Sequence, residues 1–575
     1  MKKLSLILAI IMLVSCVGGA FAEGETVSAA EVMDIRAEQV DQDAAAAEEE
    51  FLKSNCDFSV IEADETTGQI KLSYMEGVTP ILEVDGLKFK DLNKNGTLDV
   101  YEDWRVETDT RIADLISQMT PEEEVGLLFC VNTQLADARQ MVYDYALTCQ
   151  LFNLNGTPIT ITNTLNNLQA CAEGERLGVP MVFTSDREYN SFGGYIDKAH
   201  EGFGTANDPE LAYELACFYG KAMRAVGIHV TFEPYANEIG AQYGENPEYI
   251  ASIVHEEIRG LEENGLASCT KHWIGRGGDS AFGKARSVAQ NFDNWMVGWT
   301  AALSAGSEWV MTNCGGTGIS NTVDVKWDKA TMSYLRDTLG FDGVVVSDWW
   351  ALGGGPSNPG RMSGITSEGV DLGQQTIGWL YNEALANGTD MFGSGSMIRD
   401  YSNWESSPSS NYPQAIIDGL ASGEVEKANV DQAATRILRF KFNKGLFENP
   451  YGNMSFPQEG GGADGELSMT EAPQDGQMTQ QTEQDSRPED GGQISGENGE
   501  MPAGFDKMRG GPMGDEKISI SNVMGTLGTY ASCILMFAAL TALLQSRIRI
   551  LKKGKPKKSA APPAADAEMN ESLPR

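Results

Sequence analysis

The sequence predicts an α/β protein whose main body is a (β/α)8 TIM-like barrel, and three observations carry that expectation. From about residue 104 to 450, short β-rich apolar runs alternate with longer helical stretches, the rhythm of a parallel sheet with crossover helices. A region of that size suits eight such units with insertions. Polar and charged residues also recur where the apolar runs end, and in a parallel barrel those ends meet on one face. The strand-like runs are 179–184, 229–232, 267–270, 309–312 and 343–346. Helices are expected over 209–226, opened by Asn207-Asp208-Pro209, and over 247–263, closed by Asn264-Gly265.

The 575 residues include 82 Asp and Glu against 43 Lys and Arg, a formal net charge of −39, with 41% apolar content. That apolar share supports a core and excludes wholesale disorder. The acidity excludes a general nucleic-acid binder, which needs a basic face against phosphates.

Taken in order, residues 1–22 begin with Lys2 and Lys3, continue apolar and end in Ala20-Phe21-Ala22, a secretory signal peptide. Leu13-Val14-Ser15-Cys16 also resembles a lipobox, the alternative being lipidation of Cys16. Residues 23–85 are acidic and are expected to pack on the barrel, with a helix near 31–53 and two short strands around 58–74.

Residues 86–103 contain Asp91-Leu-Asn93-Lys-Asn95-Gly96-Thr97-Leu98-Asp99-Val-Tyr-Glu102. Asp91, Asn93, Asn95, Thr97, Asp99 and Glu102 stand at the ligand positions of a twelve-residue EF-hand loop, with Gly96 at its turn. Calcium takes oxygen ligands on such a spacing, so a structural Ca2+ clamping the entry to the barrel is expected; the bland alternative is an Asn/Gly-rich turn. No organic cofactor is expected.

The barrel occupies 104–450. Residues 451–517 carry 14 Gly and 14 acids with no apolar periodicity, an extended stalk. Residues 518–546 lack any charge and form the expected transmembrane helix, and the basic tail 547–575 follows. By the positive-inside rule that tail is cytoplasmic, which gives a single-pass cell-membrane protein with its barrel outside. Of nine cysteines, seven fall in the outer part without C-x-x-C pairing, which argues for buried free thiols rather than disulfides or zinc.

At the strand ends stand Ser185-Asp186-Arg187-Glu188, Glu233, Lys271-His272, Asn313 and Ser347-Asp348-Trp349-Trp350. One polar strand end is usually a helix cap. Several converging carboxylates with Lys, His and Trp make a polyol pocket, because carboxylates accept sugar hydroxyls and indoles stack on pyranose faces.

These residues resemble glycoside hydrolase family 3. Gly340-Phe-Asp-Gly-Val-Val-Val-Ser-Asp348-Trp349 resembles its nucleophile signature, Ser268-Cys-Thr-Lys271-His272-Trp273 its Lys-His motif, and Leu177-Gly-Val-Pro-Met-Val-Phe-Thr-Ser-Asp186 its early sugar-binding aspartate. Arg111–Glu124, Tyr243-Gly-Glu-Asn-Pro247, Asn387-Gly-Thr-Asp390-Met391 and Ala434–Phe447 fall in the family's order, so the resemblance covers about residues 86–450.

The resemblance implies a retaining β-glucosidase-like hydrolase acting on the non-reducing ends of oligo- or polysaccharides. Asp348 would be the nucleophile, Asp186, Lys271 and His272 would hold sugar hydroxyls, and Trp349 would line the next subsite. Retention needs a second carboxyl about 5–5.5 Å from the nucleophile. In two-domain members it comes from an α/β sandwich after the barrel, where this chain has the acidic stalk. Single-domain N-acetylglucosaminidases use an Asp-His pair after Lys-His, where this chain reads Gly275-Arg-Gly-Gly-Asp279-Ser280 with no histidine. The arginine usual before the Tyr-Gly-Glu-Asn-Pro-like stretch is also absent, around Asn237–Gly240. The acid/base is therefore expected from Glu188 or Asp279, or from a partner protein supplying the α/β domain. The alternative function is a non-catalytic glycan-binding surface protein with a degenerate barrel.

Overall fold

Eight short runs rich in Val, Phe, Trp, Cys and Thr form one parallel sheet: β1 (Phe129–Asn132), β2 (Cys149–Leu151), β3 (Val182–Ser185), β4 (Val230–Thr231), β5 (Ala267–Trp273), β6 (Trp309–Thr312), β7 (Val344–Val346) and β8 (Phe392–Ser394). The computed structural model describes residues 45–452 except 133–134, 153–156, 187–205, 207, 237–242, 245, 276–287, 314–317, 321, 350–363 and 398–409. The expected signal peptide, the stalk beyond residue 452, the transmembrane helix and the basic tail lie outside the described residues. Among the described residues no helix is long and apolar enough to cross a membrane.

Strands β1 to β7 pair in chain order, and β8 returns to pair with β1, Phe392 opposite Phe129. A parallel bridge from Val346 to Met391 links β7 to the residue before β8, and Ser347 N donates to Met391 O at 2.8 Å. The sheet is thereby a nearly closed eight-stranded barrel. Strands β2 to β7 are buried on both faces, the expected state of parallel strands wrapped in helices.

Local sequence explains the helix starts. Thr120 and Glu123 cap one another reciprocally ahead of Pro121, while Asp208 and Asn246 accept amides ahead of Pro209 and Pro247. These caps satisfy N–H groups that would otherwise lack partners. The helices Pro209–Val226 and Pro247–Glu262 lie where the pattern puts them, and the first ends at Gly227, whose φ of 102° suits only glycine comfortably.

Two expectations need correction. Strands β1, β2 and β8 are absent from the sequence reading, because β1 follows directly on an apolar helix end and β2 (Cys-Gln-Leu) and β8 (Phe-Gly-Ser) are interrupted by a polar residue or glycine. β5 runs to Trp273 rather than stopping at Thr270, so Lys271 and His272 stand on the strand and not after it. The extension is held by a register shift against β6, where Thr312 pairs with Trp273.

Outside the barrel, a helix over 45–53 buries Leu52 against Val142, Phe152, Ile161 and Leu165, and Asn167 Nδ2 donates to Leu52 O at 3.0 Å. Residues 31–44 of the expected helix lie outside the described residues. Ser59–Ile61 and Leu72–Tyr74 pair antiparallel, as do Ile81–Val84 and Leu87–Lys90. Packing also continues past the expected stalk boundary at 451, since Tyr451 stacks on Phe58 at 4.8 Å and Gly452 N donates to Asn166 at 2.8 Å. Six described cysteines are free, five of them buried.

Candidate active site

The carboxyl ends of β3, β4, β5 and β7 bring together Asp186, Glu233, Lys271, His272 and Asp348. β7 is wholly apolar up to Ser347, which pins the strand's exit, since Gly393 N donates to Ser347 Oγ at 3.0 Å. Asp348 then emerges with Oδ1 accepting from Trp349 N at 2.7 Å and Oδ2 lying 3.6 Å from His272 Nε2. Trp349 lies across β8 at Gly393, where an added Cβ would come within 2.9 Å of the indole, and its ring meets Phe232 edge-on at 5.3 Å.

Lys271 Nζ is 2.5 Å from Asp186 Oδ1 and 3.6 Å from Glu233 Oε1, with the Tyr235 ring at 4.5 Å. Burial alone would lower this ammonium's pKa, but Asp186 and Glu233 outweigh it and hold the lysine well above its ordinary value. It is therefore a fixed cation. Tyr235 also lies 5.5 Å from the His272 ring. Asn313, at the end of β6, turns its amide to Gly275 O at 2.7 Å and so braces the chain leaving β5.

Five residues singled out from sequence (Asp186, Lys271, His272, Asp348 and Trp349) thus belong to one rim. Glu188 and Asp279 lie outside the described residues. Other motif residues are scaffold. Tyr243 is buried and donates to Glu257 at 2.6 Å, Asn246 caps a helix, and Asp390 accepts from Val345 N, Arg336 and Arg436. Glu233 and Tyr235 were missed as partners of Lys271. The signal available was position alone, immediately beyond a strand.

The 91–102 loop lies at the other end of the barrel, against the residues leading into β3. Leu92 packs on Gly178, Lys94 Nζ donates to Glu173 O and Glu175 O at 2.6 Å, and Tyr101 donates to Leu177 O at 3.3 Å. Asp91 accepts from Asn95 N and Gly96 N at 3.0 and 2.9 Å, and Glu102 from Asn93 N and Asp99 N at 3.1 and 3.0 Å. Thr97 turns its hydroxyl to Asn95 Oδ1. Among the described residues no three of His, Cys, Asp and Glu are grouped to hold a metal. Asn93 Nδ2 and Asn95 Nδ2 donate to Asp99 Oδ2 at 2.5 and 2.7 Å, so the loop closes on its own hydrogen bonds, and Gly96, at φ 81°, gives the turn a calcium loop also needs.

The Glycosyl hydrolase family 3 N terminal domain model matches residues 120–440, more than half of the chain. A "Periplasmic beta-glucosidase/beta-xylosidase" of Dickeya chrysanthemi is 29% identical over 448 residues, covering 65% of this chain and 64% of the relative. "Beta-glucosidase C" of Emericella nidulans is 26% identical over 425 residues, covering 64% and 63%. The chain thus spans less than two thirds of the length of these relatives. A solved β-glucosidase from Erythrobacter marinus superposes with a TM-score of 0.51 at 21% identity, over 62% of this chain and 48% of that one, a likeness of fold. The matched region holds all eight barrel strands and all five rim residues, and the chain belongs to glycosyl hydrolase family 3.

Proposed function

We propose that the chain is a retaining β-glycosidase of the β-glucosidase type, hydrolysing non-reducing terminal β-linked sugars outside the cell. The observation that carries this reading is Asp348 at the end of β7, 3.6 Å from His272 and on the same rim as the Lys271–Asp186 pair at 2.5 Å. The relatives named as β-glucosidases support the sugar class.

In this reading Asp186, Lys271 and His272 hold the hydroxyls of the terminal sugar, and Trp349 lines the neighbouring subsite. An Asp348 oxygen attacks the anomeric carbon, the bond to the leaving oxygen breaks, and that oxygen takes a proton from the general acid. Water, deprotonated by the same group, then cleaves the glycosyl-enzyme with net retention. The acid/base comes from Glu188, from Asp279, or from a partner polypeptide that supplies an α/β domain.

Turnover of aryl β-glucosides, abolished by Asp348→Ala, tests the assignment. Dinitrophenyl glycosides need little acid assistance, so they should react even where natural disaccharides do not. A 2-fluoro-sugar inactivator should label Asp348, and labelling elsewhere would sink the nucleophile. Sugar affinity with no turnover in the intact protein would favour the glycan-binding alternative.

Calcium is the proposed ion of the 91–102 loop, held by Asp91, Asn93, Asn95, Thr97, Asp99 and Glu102. It would balance three carboxylates and tie the loop to the barrel, with no part in the chemistry. Anchoring through 518–546, with the barrel outside and the tail cytoplasmic, is proposed from the charge-free run and the basic residues that follow it.

A further inference from the structure

Glu233 stands at the rim without a role in the chemistry above. It follows Phe232 at the exit of β4, is 5% exposed, and comes within 3.6 Å of Lys271 Nζ. The β4 exit remains paired with β5 beyond the strand itself. Lys271 N donates to Pro234 O at 3.0 Å, and Ala236 N donates to Lys271 O at 3.0 Å. Glu233 and Tyr235 are therefore fixed by the same backbone ladder that carries Lys271. Asp186, by contrast, leaves β3 with its side chain 42% exposed, and Lys271 is 3% exposed.

We propose that Glu233 is a positioning residue, whose carboxylate keeps the Lys271 ammonium in place at the pocket while Asp186 is engaged by the sugar. This rests on the reading that Asp186 and Lys271 bind the substrate. When a sugar hydroxyl donates to Asp186, that carboxylate's charge is shared between sugar and lysine. A buried ammonium with one weakened partner would turn toward another acceptor or lose its proton. Glu233 supplies a second carboxylate from a different strand. The Tyr235 ring at 4.5 Å closes another side of the ammonium with its negative face. Asp186 is left to follow the substrate, and Glu233 to hold the lysine.

The test is a double-mutant cycle on Glu233→Gln and Lys271→Met, read by kcat/KM on an aryl β-glucoside and by the affinity of phenyl 1-thio-β-D-glucoside. Glu233→Gln is expected to lower kcat/KM about tenfold, mainly through KM, and to weaken thioglucoside binding in step. In the Lys271→Met background it should add nothing further. Glu233→Asp, which keeps the charge, should recover part of the loss. Independent losses in the two backgrounds, or a Glu233→Gln enzyme with lowered melting temperature and unchanged kcat/KM, would overturn the role. A wild-type protein that neither turns over the glucoside nor binds the thioglucoside would overturn the sugar-site reading itself, and this proposal with it.

Discussion

Lys271 and Lys441 are both buried lysines of one barrel, and they live under opposite electrostatics. Lys271, on β5 at the rim, has two carboxylates within 3.6 Å and is held well above its ordinary pKa. Lys441, at the other end of the barrel, donates to the carbonyls of Thr148 at 3.1 Å and Pro180 at 2.6 Å, and burial pushes it down to about 7. Nearby His229 is likewise pushed well below its normal value, by burial and by Arg224 and Lys441. Burial is common to both lysines, so the partner decides the charge. Carboxylates at the rim preserve a cation that can face a ligand. Carbonyls below leave an amine that stitches the strand entries together. The candidate site and this structural contact occupy opposite ends of the barrel.

The largest effect expected on the rim side is from Asp348→Ala, a loss of aryl-glucoside turnover of about 10^4-fold or more. Steady-state kinetics check it, and residual activity near wild type would break the contrast at its centre. Next, Lys271→Met strands the buried carboxylate of Glu233 without its cation and takes the same partner from the half-exposed Asp186. We expect about 3 kcal/mol of destabilisation by urea unfolding, with kcat/KM reduced about 100-fold. Lys441→Met should instead leave kcat/KM intact and cost about 1–3 kcal/mol, from carbonyls that lose a donor.

Calcium sharpens the same contrast, because the 91–102 loop lies at the end away from the site. Chelation should lower the melting temperature without changing kcat/KM at a permissive temperature. The shift corresponds to about 2.7 kcal/mol when free calcium had been a hundredfold above its Kd. Glu102→Ala should remove that dependence, and a melting temperature indifferent to both changes would mean that the loop is only a turn.

The smallest effect is a pH slope. The folded Lys441 amine titrates near 7 and the unfolded one near the usual lysine value. Between those values the unfolded chain binds the extra proton, so this residue makes stability rise with pH above about 7. Below about 7 both states are protonated and its contribution is flat. The slope reaches at most about 1.4 kcal/mol per pH unit, and comparing urea midpoints of wild type and Lys441→Met across pH 7–10 isolates it.

Legibility followed physical range. The helix starts at Pro209 and Pro247 were readable because a cap and a following proline act within one turn. β6 was readable over its full span, since four consecutive buried residues leave a compact apolar run. β1, β2 and β8 were not, because the apolar run of β1 continues from the helix that ends at Leu127, while β2 (Cys-Gln-Leu) and β8 (Phe-Gly-Ser) have a polar residue or glycine at their centre. Among the rim residues Asp186, Lys271, His272, Asp348 and Trp349 were identified through motifs. Glu233 fell in none of them, and its importance is a distance to Lys271 across 38 residues of chain, set by where β4 and β5 pair.

The sequence by itself determined the alternation of strand and helix, the caps, the order of the polar strand ends and their family, because each depends on residues close in the chain. Only the tertiary structure decided that β8 closes on β1, that Lys271 stands on a strand between two carboxylates, and that Lys441 is surrounded by carbonyls. Those outcomes turn on which groups share a desolvated neighbourhood, and a buried charge takes its state from that neighbourhood.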